Sequence, residues 1–341
     1  MHEKISVTEK IRRNVISDIL DGRYLPGTKI NTEREMADSL SVSRVSVRAA
    51  YGILENEGVI VREHGSGTRV SSQFYGTPGE IKHIAVLTTL RDPFSRDFIE
   101  AIQESCSEND ILTVLAVTEE NTSSQSSMAI KMVLQGIRNM IVWGFERSLD
   151  IPLFERIRIS GVNLVFFDRV KPGACADFIG LDNRHAIRSL FSEALKNGAS
   201  NFIYVDSSGL DVDSNTERRQ AFICECKKIG LDYELFSVPW RNDNGRIEKI
   251  CKGFFSACKV GHNTALFCVN DVVAIAIRCY VPDTVKIYSI DGVQNAARLG
   301  IKTYSQPIKE MASAAIQSII RQNKLSRSWK ASELRFRGKI L

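Results

Sequence analysis

The chain has no apolar run near the roughly 18 residues that a membrane-crossing helix needs, so none is expected. Its first residues, Met1-His2-Glu3-Lys4-Ile5, lack the basic-then-apolar-then-small pattern of an export signal. A cytoplasmic location and reduced thiols are therefore expected. The eight cysteines include no Cys-x-x-Cys pair, and the one close pair, Cys224-x-Cys226, lies among apolar residues, which favours packing over metal binding. There is no P-loop, no Gly-x-Gly-x-x-Gly after a strand, no Gly-x-Ser-x-Gly and no His-Glu-x-x-His. An enzyme is accordingly the weakest reading, and no catalytic residue, cofactor or metal ligand is assigned.

What is present is 341 residues, enough for two or three domains, with 43% hydrophobic and 25% charged side chains, an ordinary globular balance. The formal net charge of +5 does not mark a nucleic-acid-binding region by itself. Residues 1–72 hold eleven Lys and Arg against ten Asp and Glu, whereas residues 324–341 hold six basic residues and one acid. The position of individual arginines decides more than the total.

Residues 6–21 place Val7, Ile11, Val15, Ile16 and Leu20 at helical spacing and stop at Gly22. After Leu25-Pro26-Gly27, Thr32 followed by Glu35 forms a capping box that opens a second helix. A third runs from Ser43 to about Asn56, with Val47, Ala50 and Leu54 as its apolar stripe and Gly58 as its stop. Two short helices so closely joined predict a helix-turn-helix. Val59–Glu63 and Thr68–Ser71, flanking His64-Gly65-Ser66-Gly67, predict a β-hairpin wing. Arg44 and Arg48 lie four apart on the third helix beside Ser43 and Ser46, with no acid between Ser39 and Leu54. Arginine pairs bidentately with guanine and serine with phosphate, so this face suits a major groove; a merely solvated helix face is the competing reading.

In order and spacing, residues 5–72 resemble the winged-helix DNA-binding domain of the GntR family of bacterial regulators. The resemblance rests on the Pro-Gly turn, Thr32-Glu33-Arg34-Glu35, Ser43-Arg44-Val45-Ser46-Val47-Arg48, Leu54, Glu57-Gly58 and Gly65-Ser66-Gly67-Thr68. It implies that Arg34, Ser43, Arg44, Ser46 and Arg48 contact operator DNA and that His64 and Gly65 place the wing in the minor groove. Many family members have lysine where this wing has Ser66. The expected division is a DNA-binding domain at 1–72, a Gly-, Pro- and Ser-containing linker at 73–81 and a second domain at 82–341.

From residue 82, short β-branched runs alternate with helical stretches: 84–87, 112–115, 140–142 and 164–166 in one series, then 202–205, 235–238, 265–267 and 285–288. This alternation predicts an α/β architecture of doubly wound parallel sheets in two lobes. Ligands of such sheets sit at the carboxyl ends of strands. Around those ends stand Asp92, Phe94, Asp168, Arg169, Arg218, Asn270, Asp291 and Gln306. Carboxylates accept from hydroxyls, arginine donates in a fork and an aromatic face covers C–H groups, an inventory that fits a small polyhydroxylated ligand. Taken singly, Asp168 with Arg169 also reads as a salt bridge, Phe94 as core and Asn270 as a helix cap.

Residues 82–341 also resemble the effector domain of the LacI family, which shares the fold of periplasmic sugar-binding proteins. The landmarks are Asp92-Pro93-Phe94, Phe167-Asp168-Arg169, Ile179-Gly180-Leu181-Asp182-Asn183, Glu217–Phe222, Val269-Asn270-Asp271, Ser289-Ile290-Asp291-Gly292 and Ser305-Gln306-Pro307. The resemblance implies an effector cleft lined by Asp92, Phe94, Asp168, Arg169, Arg218, Asn270, Asp291 and Gln306, with Trp240 as a pocket aromatic and Trp143 as a further candidate. The stretch from Asn270 to Ile287 is shorter than the family's, and no LacI-type hinge helix is present. Three chain crossings between lobes are expected near Asp182–Arg184, Asp291–Val293 and Gln306–Lys309. Together the two resemblances imply a sugar-responsive transcriptional regulator, a repressor acting as a homodimer on double-stranded operator DNA without a membrane partner. Its effector would be arabinose or another mono- or disaccharide; a non-sugar effector or an activator is the alternative.

Overall fold

In the computed structural model, the described residues are 6–63, 65–72, 79–89, 93–147, 149–240, 245–258, 260–325 and 328–341. His64 and Asp92, both named above, lie outside them. The chain begins with α1 (Val7–Leu20), α2 (Glu33–Leu40) and α3 (Arg44–Asn56), followed by the antiparallel hairpin β1 (Ile60–Glu63) and β2 (Gly67–Val70). Thr32 and Glu35 form the reciprocal capping box at α2, and Ser43 caps α3 through the Ser46 amide. Ile11, Val15, Ile16, Ile19 and Leu20 bury one side of α1 against Val47, Ala50, Tyr51 and Leu54 of α3. Val7 was expected on that side but, as the first residue of α1, is 47% exposed. The buried Tyr51 hydroxyl donates to the Asn31 carbonyl at 2.7 Å, and Arg12 pairs with Glu57 at 2.9 Å, fixing α1 to the end of α3. This is a helix-turn-helix with a two-stranded wing.

Two six-stranded sheets follow. The first lobe contains β3 (His83–Thr88), α4 (Pro93–Glu108), β4 (Leu112–Val117), α5 (Thr122–Leu134), β5 (Asn139–Val142), α6 (Ile151–Ile159), β6 (Asn163–Phe167) and β7 (Asp177–Leu181). The second contains α7 (Asn183–Lys196), β8 (Asn201–Ser208), α8 (Asp213–Lys228), β9 (Tyr233–Pro239), α9 (Arg246–Ala257), β10 (Thr264–Cys268), α10 (Asp271–Ile277), a 3-10 turn at 278–280, β11 (Lys286–Asp291), α11 (Gln294–Arg298) and β12 (Lys302–Ser305). Then α12 (Ile308–Leu325) returns to the first lobe, β13 (Glu333–Phe336) joins the first sheet and β14 (Lys339–Ile340) the second. The strand orders are β13-β7-β6-β5-β3-β4 and β14-β12-β11-β10-β8-β9, parallel throughout except for β14 against β12. β5, β6, β7 and β10 are buried along their whole length, as strands covered on both faces must be. The fold is thus α/β, with a winged helix-turn-helix ahead of two doubly wound lobes. No helix among the described residues is long and apolar enough to cross a membrane.

The chain crosses between lobes after β7 at Asp182, after β12 at Gln306–Pro307 and after β13 at Arg337–Gly338. The crossing expected near Asp291–Val293 is not one: β11 leads through α11 to β12 in the same sheet. The third crossing escapes periodicity because the strand that follows it has only two residues. Its turn is closed by the Gly338 amide donating to the Tyr304 hydroxyl at 3.0 Å, and a side chain at Gly338 would fall on the Ser305 carbonyl.

The first lobe is tied to its last helix through Asp177, whose residue is fully buried. Its carboxylate accepts from Ser318 at 2.6 Å, Arg321 at 2.7 Å, Gln322 at 2.9 Å and the Ser332 amide at 2.8 Å. With the Ser332 hydroxyl and the Trp329 indole added, one acid in an apolar strand is held there by six donors from two other segments. Asp177→Ala is expected to lower the unfolding free energy in urea by about 3 kcal/mol, since it strands several buried donors; a loss below about 0.5 kcal/mol, the range of ordinary surface changes, would contradict this role.

Candidate functional site

Between the lobes lies an inner cavity of about 20 Å³, lined by Phe94, Trp143, Asp168, Arg169, Leu210, Val212, Ser214, Asn215, Arg218, Trp240, Asn270, Val272 and Asp291. Eight of these were singled out from the sequence. Gln306 stands just behind, donating through Nε2 to Asp291 Oδ1 at 2.9 Å. Each residue arrives from the end of a strand or the start of a helix. Asp168 and Arg169 follow β6, Trp143 follows β5, Trp240 follows β9, Asn270 follows β10, and Asp291 ends β11. Ser214, Asn215 and Arg218 occupy the first turns of α8, which carries no side-chain cap. Ser214 and Asn215 were not foreseen, and only their place at the start of a helix facing a strand end marks them.

The aromatic side of the cavity is a packed set. Trp143 meets Phe94 and Phe98 edge to face at 5.6 and 5.3 Å, and the Arg169 guanidinium lies over the Trp143 ring at 4.9 Å and nearer the Trp240 ring than 6 Å, at 5.9 Å. On the polar side, Arg218 is 3% exposed; it donates to Asn183 Oδ1 and the Val269 carbonyl at 2.9 Å each and lies 3.7 Å from Asp291. Asn270 is indeed a helix cap, accepting from the Val273 amide at 3.0 Å, and it lines the cavity as well.

Three buried polar atoms here have no hydrogen-bond partner: Asp168 Oδ1, Trp143 Nε1 and Gln306 Oε1. Leaving such groups unpaired costs free energy that a bound polar molecule would recover. Asp168 and Asp291 are also held at φ 58° and 139°, backbone conformations that residues with a side chain rarely adopt. Burial pushes the Asp168 carboxyl above its ordinary range, against the pull of Arg218 and Arg169.

The lobes are latched on both sides of this cavity. Arg147 of the first lobe reaches Asp213 at 3.1 Å and the Thr216 hydroxyl at 2.6 Å, and its amide donates to the Asp211 carbonyl at 2.7 Å. Lys171 and Arg335 meet Glu217 of α8 at 2.7 and 3.0 Å. Burial works against the Glu217 charge, yet bonds from Lys171 and Asn183 and the charge of Arg335 hold its carboxyl below the usual range. Outside the inner cavity, and sharing Trp240 with it, a cleft of about 600 Å³ opens toward Glu119, Asn121, Phe145 and Arg246.

On the helix-turn-helix, Arg44, Val45, Arg48 and Ala49 form the exposed face of α3. Val45 is 76% exposed, an apolar side chain beside Arg44 that sequence reasoning passed over. Arg48 Nε donates to Glu33 at 3.0 Å, so α2 supplies the acid that the stretch around α3 lacks. Arg34 lies on α2, 4.0 Å from Asp38 and 79% exposed in its side chain. Ser43 and Ser46 share a hydroxyl contact of 2.8 Å at the helix start, and Gly65, at φ 75°, turns the wing.

Residues 7–70 match the family model of bacterial regulatory proteins, gntR family, so the N-terminal domain is of that type. Across most of its length the chain is similar to the arabinose metabolism transcriptional repressor of Geobacillus stearothermophilus, 23% identical over 332 residues, covering 91% of this chain and 89% of the relative. Among solved structures, it is similar to a periplasmic solute-binding protein from Actinobacillus succinogenes with bound D-allose, with a TM-score of 0.66, 18% identity and coverage of 76% of this chain and 96% of the other. The trehalose repressor of Escherichia coli gives a TM-score of 0.62 at 16% identity, covering 77% and 100%. These likenesses place the two lobes in the fold of periplasmic binding proteins and LacI-type repressors.

Asp168 generates a pH prediction. A carboxyl whose pKa is raised by folding binds its proton more tightly in the folded state, so the charge costs stability above the ordinary value of 3.8 and costs nothing well below it. Asp168→Asn, which also suits the positive φ, is expected to raise the melting temperature at neutral pH, with the gain shrinking as the pH falls toward 3.8. Calorimetric scans across pH that show a constant difference, or a loss at neutral pH, would contradict the burial penalty.

Proposed function

We propose that this chain, whose head is of the gntR type, is a sugar-responsive transcriptional repressor whose operator affinity changes when a small sugar binds between the lobes. The observation that carries the reading is the inner cavity: unpartnered Asp168 Oδ1 and Trp143 Nε1 converge there with Arg218, Asn270 and Asp291 beneath two tryptophan rings. Hydroxyl groups of a sugar donate to the carboxylates and accept from the indole and the arginines, while its C–H face lies on the rings. A cavity of about 20 Å³ holds about one water, so the lobes part to admit the ligand and close over it. A ligand that touches both lobes binds the closed form better and shifts the population toward it. Arabinose leads the candidates through the Geobacillus relative, with other mono- and disaccharides behind it.

In the head, Arg34, Ser43, Arg44, Ser46 and Arg48, with His64 and Gly65 of the wing, are the proposed DNA contacts. Arg44 is the base-reading residue of choice: it is exposed on α3 beside Val45, whose methyl groups suit a thymine methyl. A homodimer in the cytoplasm, with no enzymatic activity, completes the reading. β4 is the free edge of its sheet and exposes Leu112, Val114, Leu115 and Val117 at 74, 39, 43 and 47%. An apolar edge of this kind calls for a cover, and a second copy supplies it.

Two measurements test these roles. Thermal-shift screening against pentoses, hexoses and their phosphates is expected to find a stabilising sugar, since ligand at 100 times its Kd adds about 2.7 kcal/mol, and Arg169→Ala is expected to abolish that shift. Stabilisation only by compounds without hydroxyl groups would point to a non-sugar effector. Arg44→Ala is expected to weaken operator binding by about 1–3 kcal/mol in fluorescence anisotropy while leaving the sugar shift in place; unchanged DNA affinity would remove Arg44 from the interface.

A further inference from the structure

We infer that Gln125 of α5 is a positioning residue that couples the interlobe cavity to the DNA-binding head; this rests on the function proposed above. Gln125 has no exposed surface. Its side-chain amide is spent entirely on the cavity wall: Nε2 donates to the Trp143 carbonyl at 3.1 Å, and Oε1 accepts from the Phe145 amide at 2.7 Å. The backbone of 143–145, where Trp143 faces the inner cavity and Phe145 the outer cleft, is thereby tied to α5 as well as to β3, to which the Trp143 amide donates at the Leu87 carbonyl.

The same buried face of α5, further along the helix, meets the head. Ala129, Met132 and Val133 of α5 share one apolar cluster with Ile11, Val15, Ile16 and Ile19 of α1, and α1 packs directly on α5 and α6. Arg156 of α6 closes the contact by donating from Nε to the Leu20 carbonyl at 3.1 Å, at the carbonyl-rich end of α1 where a cation is favoured. Arg156 is itself largely covered, with 16% of its side chain exposed. The path is thus continuous: cavity wall, Gln125 amide, α5, α1. A helix of 13 residues packed along one continuous buried face transmits a displacement as a rigid rod, because close-packed side chains do not absorb it.

Spatial continuity is not itself coupling, and hydrogen–deuterium exchange of the full chain measures the coupling without any ligand or DNA. Arg169→Ala disturbs the Trp143 side of the cavity. It is expected to change the exchange rate of amides in α1 by about fivefold or more, the lower edge of ordinary allosteric couplings. In a Gln125→Met background, which keeps the side-chain volume and removes both hydrogen bonds, the same substitution is expected to leave α1 unchanged. Exchange in the last turns of α7, which line neither the cavity nor this path, should not respond in either background. An equal response of α1 to Arg169→Ala with and without Gln125, or no response in either, overturns the inference. Should Gln125→Met fail to fold, Arg156→Ala replaces it: coupling is reciprocal, so freeing the end of α1 must alter exchange at Trp143 and Phe145, and unchanged exchange there overturns the inference equally. None of these outcomes depends on the identity of the sugar, so sugar binding can fail while the coupling stands, and the reverse.

Discussion

A single arginine buried between two lobes sets the terms for the structure around it. Arg218 has almost no contact with solvent, and a charge so placed must be met by polar groups on every side. It is met by Asn183 at the first chain crossing, by the Val269 carbonyl at the end of β10 and by Asp291 at the end of β11. Asp291 in turn receives Gln306 at the second crossing, and Asn183 shares Glu217 with Arg335, just ahead of the third. All three crossings thus report to one guanidinium. Relative motion of the lobes disturbs the partners of that charge, so the cavity and the hinge are parts of one device.

The same constraint explains why strain gathers at the cavity. Asp168 and Asp291 both stand at positive φ, and Asp168 is buried with an oxygen left unpaired. Neither feature helps the fold; such positions are held in place by the surrounding sheets and are the usual cost of a preorganised site. Two other buried acids of the lobes behave differently. Asp177 is saturated by donors, and Asp271 accepts from Ser289, Thr303 and the Val293 amide, which fixes the loop after β11. Stability and binding are assigned to different carboxylates within the same two sheets.

Much of this was legible in the sequence because the relevant signals are local. The capping box at Thr32, the Ser43 cap and the apolar runs of β3, β5, β6, β8 and β10 each write one element in a few adjacent residues. Polar residues immediately after such runs are brought together by the topology of parallel sheets, which is why Asp168, Arg169, Asn270 and Asp291 could be named in advance. What was missed depends on contacts between distant segments. β14 is too short for periodicity, so a crossing was placed at Asp291–Val293 instead of Arg337–Gly338. Arg147 and Gln125 look like ordinary polar residues of a loop and a helix, and only their partners 64 to 69 and 18 to 20 positions away give them meaning. The Arg48–Glu33 pair was hidden for the same reason, 15 residues separating its members.

The central claim is that sugar in the cleft and DNA on the head are thermodynamically linked. Its most direct test is the affinity of the full chain for operator DNA, measured by anisotropy with and without the stabilising sugar, together with the affinity for that sugar with and without DNA. The account predicts that both affinities change by the same factor, within the range of about 5- to 150-fold typical of such coupling. Operator affinity that is indifferent to saturating sugar would contradict it.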